Sequence, residues 1–326
     1  MTNATNFRQA FSDYHPFVSI IIPALNSEKT LDACLNAIWS MDYPKDRLEV
    51  ILVDNGSTDG TVKIAKKHNI RIFIKPKVNI SALRNFGAKM ARGEIYAFVD
   101  SDCLVSKDWL NNALIHLKKN TVAAAGCYYD IPPDASWVEK SWFFLKDFEA
   151  HPVNYLPAGN MIVKKSAFRK VGGFNENLIT GEDSEFCRRL REIGYTIISD
   201  KKIRAIHLGN PKTLYAFFKK ESWYGKGMLG TKRSDKWNKP FIISNIYLLS
   251  FAGLIIGLPI CLYFNKFFPL LIPLAFIVLI PLIAALRGSI QSKNLRKFPL
   301  LVPIYFSYCM GRMVSLFYIY RSIWKK

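Results

Sequence analysis

Residues 83–103 read LRNFGAKMARGEIYAFVDSDC. Residues 81–92 read as a helix and residues 94–99 as a strand, and Tyr96-Ala97-Phe98-Val99 runs straight into Asp100-Ser101-Asp102. Two carboxylates one residue apart can face a hard divalent cation that keeps part of its water and binds phosphate oxygens. Alone, Asp-x-Asp is common, and two solvated turn residues are its plain explanation. At the end of an apolar strand it acquires chemical meaning, because sites in open α/β sheets lie beyond the carboxyl ends of the strands.

Three more strands lie upstream. Residues 17–23 are an almost continuous apolar, β-branched run, as expected of a parallel strand buried on both faces. Residues 48–53 and 70–74 give two others. Helices are expected over residues 28–41, through Leu31, Cys34, Leu35 and Ile38, and over residues 60–68. This alternation predicts an α/β fold with a mainly parallel sheet and helices on both faces. The first strand ends in Pro23-Ala24-Leu25-Asn26, with Glu28 just beyond, and the second in Asp54-Asn55-Gly56-Ser57-Thr58-Asp59-Gly60. These polar ends share one sheet edge with Asp100-Ser101-Asp102. None fits G-x-G-x-x-G or the P-loop, which excludes a dinucleotide fingerprint and a Walker site.

VSIIIPALN (18–26), VDNGSTDGT (53–61) and the 83–103 stretch together resemble the nucleotide-binding half of inverting family-2 glycosyltransferases of the GT-A fold. PAGNMIVKKSAFRKVGGFNENLITGEDSEFCRRLREIGY (157–195) resembles that family's acceptor half, and the resemblance covers about residues 17–230. It implies a Rossmann-like GT-A domain in which Pro23, Ala24 and Asn26 wrap the nucleotide, with Glu28 beside them. Asp54 would contact the base, Arg84 and Asn85 would lie against the nucleotide, and Asp100 and Ser101 would approach the ribose. Asp102 would hold Mg2+ or Mn2+ against the diphosphate. Many relatives carry a second acid where this chain has Asn55, so the base contacts stay open. For Arg84 and Asn85 the plainer reading is a helix start with a surface arginine.

In Gly181-Glu182-Asp183 the resemblance makes Asp183 the general base, with Glu182 on the acceptor side. An acceptor hydroxyl attacking the anomeric carbon must lose a proton, and a carboxylate within hydrogen-bond reach can take it. The cation stabilises the departing diphosphate as a Lewis acid. A single displacement inverts the centre. Acidic residues at a helix N-terminus are also favoured by the macrodipole, and both roles can hold together. His207, after the apolar residues 203–206, could add a metal or phosphate contact or be structural. Trp223 and Tyr224 stand where processive synthases carry Gln-x-x-Arg-Trp. That motif is absent, which argues against a long-chain polymerase. The two rings could stack on an acceptor sugar or anchor at a membrane interface. Trp137, Trp142, Phe143, Phe144, Phe148 and Tyr155 read as core or as an acceptor cleft.

The chain has 326 residues and a net charge of +20. Nine of those positive charges fall after residue 241, where there is no acid, which leaves +11 for residues 1–241. The same C-terminal part holds three apolar runs, 242–264, 267–286 and 298–320. Each is long enough to cross a hydrocarbon core of roughly 30 Å. Pro269, Pro273 and Pro281 predict kinks in the second. Gly311-Arg312 interrupts the third, and Arg312 is expected to face protein or to snorkel. Lys226, Lys232, Arg233, Lys236 and Lys239 before the first run place that side in the cytoplasm. A third crossing would put Arg321, Lys325 and Lys326 outside, against the rule, whereas a re-entrant or interfacial segment would keep them inside.

Basic residues flanking long apolar runs favour anionic lipid over nucleic acid as the partner. The six cysteines form no zinc-spaced set and read as reduced thiols. The polar N-terminus predicts no signal peptide. The expected organisation is a tail over 1–16, a GT-A domain over 17–235 and a helical membrane domain over 240–326.

The leading reading is a membrane-bound, metal-dependent inverting glycosyltransferase. It would use a nucleotide-diphosphate sugar and a lipid-linked or glycan acceptor at the cytoplasmic membrane face, as in enzymes that build exopolysaccharide, O-antigen or glycoprotein glycans. A polyprenyl-phosphate glycosyltransferase is the close rival, because its acceptor is already an anion and needs no base. A non-catalytic sugar-nucleotide-binding scaffold is the alternative of another class. A nucleic-acid-binding protein is a fourth reading and predicts salt-sensitive binding.

Overall fold

The computed structural model describes residues 15–143, 150–227 and 239–324. Outside them lie the expected tail except its last two residues, Phe144, Phe148, Lys232, Arg233, Lys236, Lys325 and Lys326. The chain forms two compact units, one of residues 1–132, 148–177 and 182–209 and one of residues 133–147, 178–181 and 210–326.

In chain order the elements are β1 (Val18–Ala24), α1 (Leu31–Trp39), β2 (Leu48–Asp54), α2 (Thr61–Lys67), β3 (Arg71–Ile74), α3 (Ile80–Met90), β4 (Ile95–Val99), β5 (Cys103–Val105), α4 (Trp109–Leu117) and β6 (Val122–Gly126). There follow α5 (Trp137–Phe143, in the second unit), β7 (His151–Pro152), β8 (Asn160–Lys164), α6 (Lys165–Lys170), α7 (Glu182–Glu192), β9 (Thr196–Ser199) and β10 (Ala205–His207). One sheet runs β3-β2-β1-β4-β8-β6-β9-β7, and β5 pairs with β10 in a separate ribbon. β3, β2, β1 and β4 are parallel, as the alternation predicts. β8 then runs antiparallel to both β4 and β6, so the sheet is mixed.

Successive side chains on a strand point to opposite faces. Ile20 and Ile22 of β1 enter one core with Leu31, Leu35 and Ile38 of α1, and Ile21 enters the other with Leu83 and Ala88 of α3. Both faces of β1 are covered, which is why its sequence is a continuous apolar run. Asn79 caps α3, its Oδ1 accepting the Ala82 N–H at 2.9 Å. A Cβ on Gly87 would collide with Ile21, so glycine there lets α3 lie directly on β1. Arg84 shares that helix face, since residues three apart fall one above the other, and it is carried into the protein at the sheet's carboxyl edge.

The second unit contains α5, α8 (Leu214–Gly225), α9 (Lys239–Phe264), α10 (Leu271–Gln291) and α11 (Phe298–Trp324). Among the described residues, three segments are long and apolar enough to cross a membrane, with mean hydropathies of 2.1 (Lys239–Phe264), 2.7 (Phe268–Gln291) and 1.4 (Leu295–Arg321). Leu249, Ile255, Tyr263, Phe268 and Ile272 are exposed on the first two. So much contiguous apolar surface marks contact with lipid or a partner. Pro269 sits in a short 3-10 turn and Pro273 in the first turn of α10, where a missing N–H costs nothing, so of the three prolines only Pro281 lies inside that helix.

The Gly311-Arg312 pair that interrupts the third apolar run does not break the helix, because α11 is one helix of 27 residues. The two residues serve packing instead. A Cβ on Gly311 would lie 2.8 Å from Phe218 O, so glycine allows α8 and α11 to approach backbone to backbone. Arg312 Nη2 pairs with Glu221 of α8 at 2.7 Å, and its guanidinium lies 5.1 Å from the centre of the Tyr308 ring. Arg312 thus faces protein, one of the two outcomes expected for it.

Candidate active site

A cleft of about 730 Å3 opens at the carboxyl edge of the parallel strands. Pro23, Ala24, Asn26 and Glu28 line it after β1, Asn55 and Asp59 after β2, and Ile80 and Leu83 from α3. Asp100, Ser101 and Asp102 after β4 and His207 of β10 complete the wall. These residues come from stretches more than 180 positions apart in the chain. Most of the expected nucleotide-side residues, and both expected metal ligands, are therefore brought together.

Hydrogen bonds between loops give the cleft its shape. Asn26 adopts a left-handed backbone (φ 50°), which asparagine tolerates better than most residues. Its N–H donates to Ser57 Oγ at 2.8 Å and its Oδ1 accepts the Thr58 N–H at 2.9 Å. Glu28 Oε2 accepts the Gly60 N–H at 3.1 Å, so this carboxylate braces the second loop. Ser27 ties all three loops together. Its N–H donates to Thr61 Oγ1 at 2.7 Å, and its hydroxyl shares a hydrogen bond with Ser101 Oγ at 2.7 Å.

Asp54 is placed differently from the expectation. It is buried beneath its loop, where Oδ1 accepts the N–H groups of Gly56 (2.9 Å) and Ser57 (2.8 Å), and Ser57 Oγ donates to Oδ2. Asp54 folds the loop, and the residue that reaches the wall is Asn55. Asn85 also stands away from the cleft. Its amide exchanges two hydrogen bonds with the Phe174 backbone, at 2.8 and 2.9 Å, and donates to Glu176 Oε1, pinning the loop after α6.

Arg84 is no surface arginine. Its side chain is 4% exposed; Nη2 donates to Asp100 Oδ1 at 2.7 Å and Nη1 to Glu182 Oε1 at 2.8 Å. Burial disfavours the guanidinium charge, but the two carboxylates more than compensate and hold it protonated. Asp100 titrates below the usual carboxylate range: burial works the other way, and the Arg84 charge outweighs it, helped by His207 and by the Tyr129 hydroxyl, which donates to Oδ2 at 3.0 Å. A Cβ on Gly159 would strike Asp100 Oδ2, and one on Gly209 would strike Asp102 Oδ2, so two glycines keep room for these carboxylates. Asp102 Oδ1 lies 3.5 Å from His207 Nε2, and the Asp102 side chain is 29% exposed.

Gly181, at φ 80°, leads into α7, whose first turn carries Glu182, Asp183 and Glu185. Asp183 is raised to about 6, first by burial and then by the charge of Glu182; the Ser184 N–H on its Oδ1 at 2.7 Å pulls the other way. Glu182 is committed to Arg84. Tyr128 and Tyr155, packed edge to face with ring centres 5.5 Å apart, lie within electrostatic range of Asp183. Trp223 and Tyr224 belong to α8 in the second unit, half-exposed and 5.2 Å apart.

The residues not foreseen are Ser27, Thr61, Asp59 and Tyr129. A signal existed for Tyr129, because the apolar run 122–126 also ends at the carboxyl edge and Cys127-Tyr128-Tyr129-Asp130 follows it. Ser27 and Thr61 look like ordinary loop residues, and only their pairing across 34 positions reveals them.

Residues 19–172 match the model of Glycosyl transferase family 2, and residues 97–287 that of Glycosyl transferase family group 2. Glycosyltransferase AglE of Haloferax volcanii is 31% identical over 232 residues, covering 68% of this chain and 76% of that one. A Methanococcus voltae enzyme named for adding a diacetamido-dideoxy-glucuronosyl group to dolichyl N-acetyl-α-D-glucosaminyl phosphate is 26% identical over 279 residues, covering 76% and 84%. Mannosyltransferase PcManGT from Pyrobaculum calidifontis, solved with GDP-Man and Mn2+, superposes with a TM-score of 0.61 at 18% identity over 96% of this chain and 89% of that one. At that identity the likeness speaks for the GT-A fold. With family models spanning well over half of its length, the chain belongs to the family-2 glycosyltransferases.

Proposed function

We propose that this protein is a membrane-bound, metal-dependent, inverting glycosyltransferase that moves a sugar from a nucleoside diphosphate sugar to a lipid-linked or glycan acceptor at the cytoplasmic membrane face. The observation that carries this reading is the double contact of Arg84. It ties the strand end that bears Asp100 and Asp102 to the helix start that bears Asp183.

Asp102 and His207 fit a Mg2+ or Mn2+ ion, since a carboxylate oxygen and an imidazole nitrogen converge at the cleft under space that Gly209 keeps open. They would hold it, and it would supply Lewis-acid stabilisation of the departing diphosphate. The chain's own residues supply the rest. Asn26 and the loops it joins form the nucleotide wall. Arg84 keeps Asp100 ionised, as an acceptor for ribose hydroxyls. Asp183 takes the proton of the acceptor hydroxyl. Glu182 is held by Arg84, which leaves Asp183 as the carboxylate able to serve, and a value near 6 suits a base working near neutral pH.

Three apolar helices support residence in the membrane, and the basic residues flanking the first support a cytoplasmic catalytic unit. The domain division proposed is a GT-A part within 17–235 and a membrane part within 240–326. Trp223 and Tyr224 are assigned to the acceptor side or to the membrane interface. The lipid-linked acceptor in the name of the Methanococcus voltae relative supports an acceptor of that class.

The test is nucleotide release by nanodisc-held protein with UDP-, GDP- and TDP-sugars, Mg2+ or Mn2+, and lipid extract. One donor should give metal-dependent release that lipid stimulates and that Asp102→Ala abolishes. Folded protein that neither binds nor turns over any donor would sink the proposal. Polyprenyl phosphate as acceptor tests the rival, because Asp183→Asn would retain turnover if the acceptor were already an anion.

A further inference from the structure

The ribbon of β5 and β10 sets a thiol beside the cation donors. Leu208 N–H donates to Asp102 O at 2.9 Å and Ser106 N–H to Arg204 O at 3.0 Å. Cys103 and His207, directly opposite in the register, therefore form a non-hydrogen-bonded pair. In an antiparallel ladder such pairs bring side chains closest together and on one face. The carboxylate of Asp102, the thiol of Cys103 and the imidazole of His207 each place a donor atom within 4.8 Å of the other two. Cys103 Sγ lies 4.0 Å from Asp102 Oδ1.

A tetrahedral zinc-type site has bonds of roughly 2.0–2.3 Å and hence donors roughly 3.3–3.8 Å apart. Small side-chain rotations close this triangle. Thiolate donors select soft ions, whereas oxygen donors suit Mg2+ and Mn2+. We propose that Asp102, Cys103 and His207 give the cation site a second, thiophilic mode, in which a Zn2+-class ion is held by all three with its fourth position open to the cleft. The inference rests on reading Asp102 and His207 as the cation site. In the hard-ion mode Cys103 stays a protonated core thiol. In the soft-ion mode the thiol proton passes to solvent as the metal–sulfur bond forms. Zn2+-class ions then displace the activating ion and inhibit transfer.

The probe is Cd2+ added to the full-length protein in nanodiscs. A thiolate-to-cadmium charge-transfer band is expected, kept in Cys34→Ser and lost in Cys103→Ser, with Cd2+ affinity about 10–100-fold weaker in the latter. X-ray absorption on the unaltered protein with one equivalent of Zn2+ needs no variant and should show one sulfur at roughly 2.3 Å. A band that survives in Cys103→Ser, or a zinc shell of nitrogen and oxygen alone, overturns the proposal. Mn2+ binding followed by electron paramagnetic resonance separates the two levels. Mn2+ bound beside a sulfur-free zinc shell defeats the thiophilic mode alone, whereas failure to bind either ion defeats the cation-site reading beneath it.

Discussion

At the end of β4, Asp100 is held below the usual carboxylate range; at the start of α7, Asp183 is pushed up to about 6. Both carboxyl groups are partly buried in the same unit, and Arg84 acts on both. The difference is geometric. Arg84 touches Asp100 directly, while its other arm is used by Glu182, so Asp183 feels the negative Glu182 more than the positive arginine. One arginine shared between two acids thus accompanies one carboxyl held below the usual range and another raised above it. Environments that push like groups apart are how a site divides anionic and acid–base work.

The strongest way to break this contrast is Asp183→Asn. Transfer to a hydroxyl acceptor should fall by about a hundred- to ten-thousand-fold while donor affinity is kept. The same change should not weaken the fold. Because the folded carboxyl titrates above its unfolded value, its ionised form costs stability at pH above about 6, and that cost disappears as pH falls toward the unfolded value. The asparagine variant should therefore be more stable at pH 7.5, by up to about 3 kcal/mol, and no more stable at pH 4. Chemical denaturation at the two pH values reads this directly.

Arg84→Gln should remove the link itself. Asp100 and Glu182 would be left buried without their partner, at about 3–5 kcal/mol. Arg84→Lys should rescue only part of this, because an ammonium lacks the planar fork that reaches both acids. In whatever folds, the acid limb of the pH–rate profile should move up, since Arg84 is one of the groups holding Asp183 down.

The second unit gives the comparison a control. Arg312 is partly buried, and among the described residues its salt-bridge partner is one acid, Glu221. If that pair serves packing alone, Arg312→Ala should cost about 2–3 kcal/mol, and the double change Glu221→Leu with Arg312→Leu should recover most of it. No double apolar replacement should rescue transfer in an Arg84 variant if its partners serve the proposed chemistry. Urea titration in nanodiscs measures the first claim and nucleotide release the second.

On the proposed base role, the acid limb of the unaltered enzyme follows the titration of Asp183. With the base protonated below about pH 6, the rate should drop about tenfold per pH unit there. A profile flat down to pH 5 on a hydroxyl acceptor would remove Asp183 from the base role.

Much of this was legible in the sequence because it is local. An apolar run ending in polar residues fixes a strand and its carboxyl end, which is how β1, β2 and β4 and the cleft residues Asn26, Asp100 and Asp102 could be read. What could not be read depends on long-range pairing. Asp54 looks like a ligand residue, yet its oxygens are spent on its own loop. Asn85, next to Arg84 in sequence, points to another face of α3 and holds a loop instead of a nucleotide. The antiparallel β8 sits between β4 and β6 because of chain routing that no local period encodes. Arg312 looks like a flaw in a membrane helix until Glu221 is placed 91 positions away.

Tyr129 offers the finest test of the Asp100 half. Its hydroxyl donates to Asp100 Oδ2, the oxygen not used by Arg84, and its ring centre lies 4.6 Å from that of His207. Tyr129→Phe keeps the ring and removes one hydrogen bond, worth about 1 kcal/mol, or about fivefold. The loss should appear in donor KM and Mn2+ affinity rather than in the acid limb, because the Tyr129 hydroxyl bonds Asp100 directly. Asp100 should also titrate closer to its ordinary range. The stability its ionisation provides is present above the unfolded value and lost as pH falls through the folded one, so the variant should begin to unfold at higher pH than the parent. A change in the acid limb without a change in Mn2+ affinity would mean that Tyr129 acts on the proposed base, and the roles of Asp100 and Asp183 would no longer be separable.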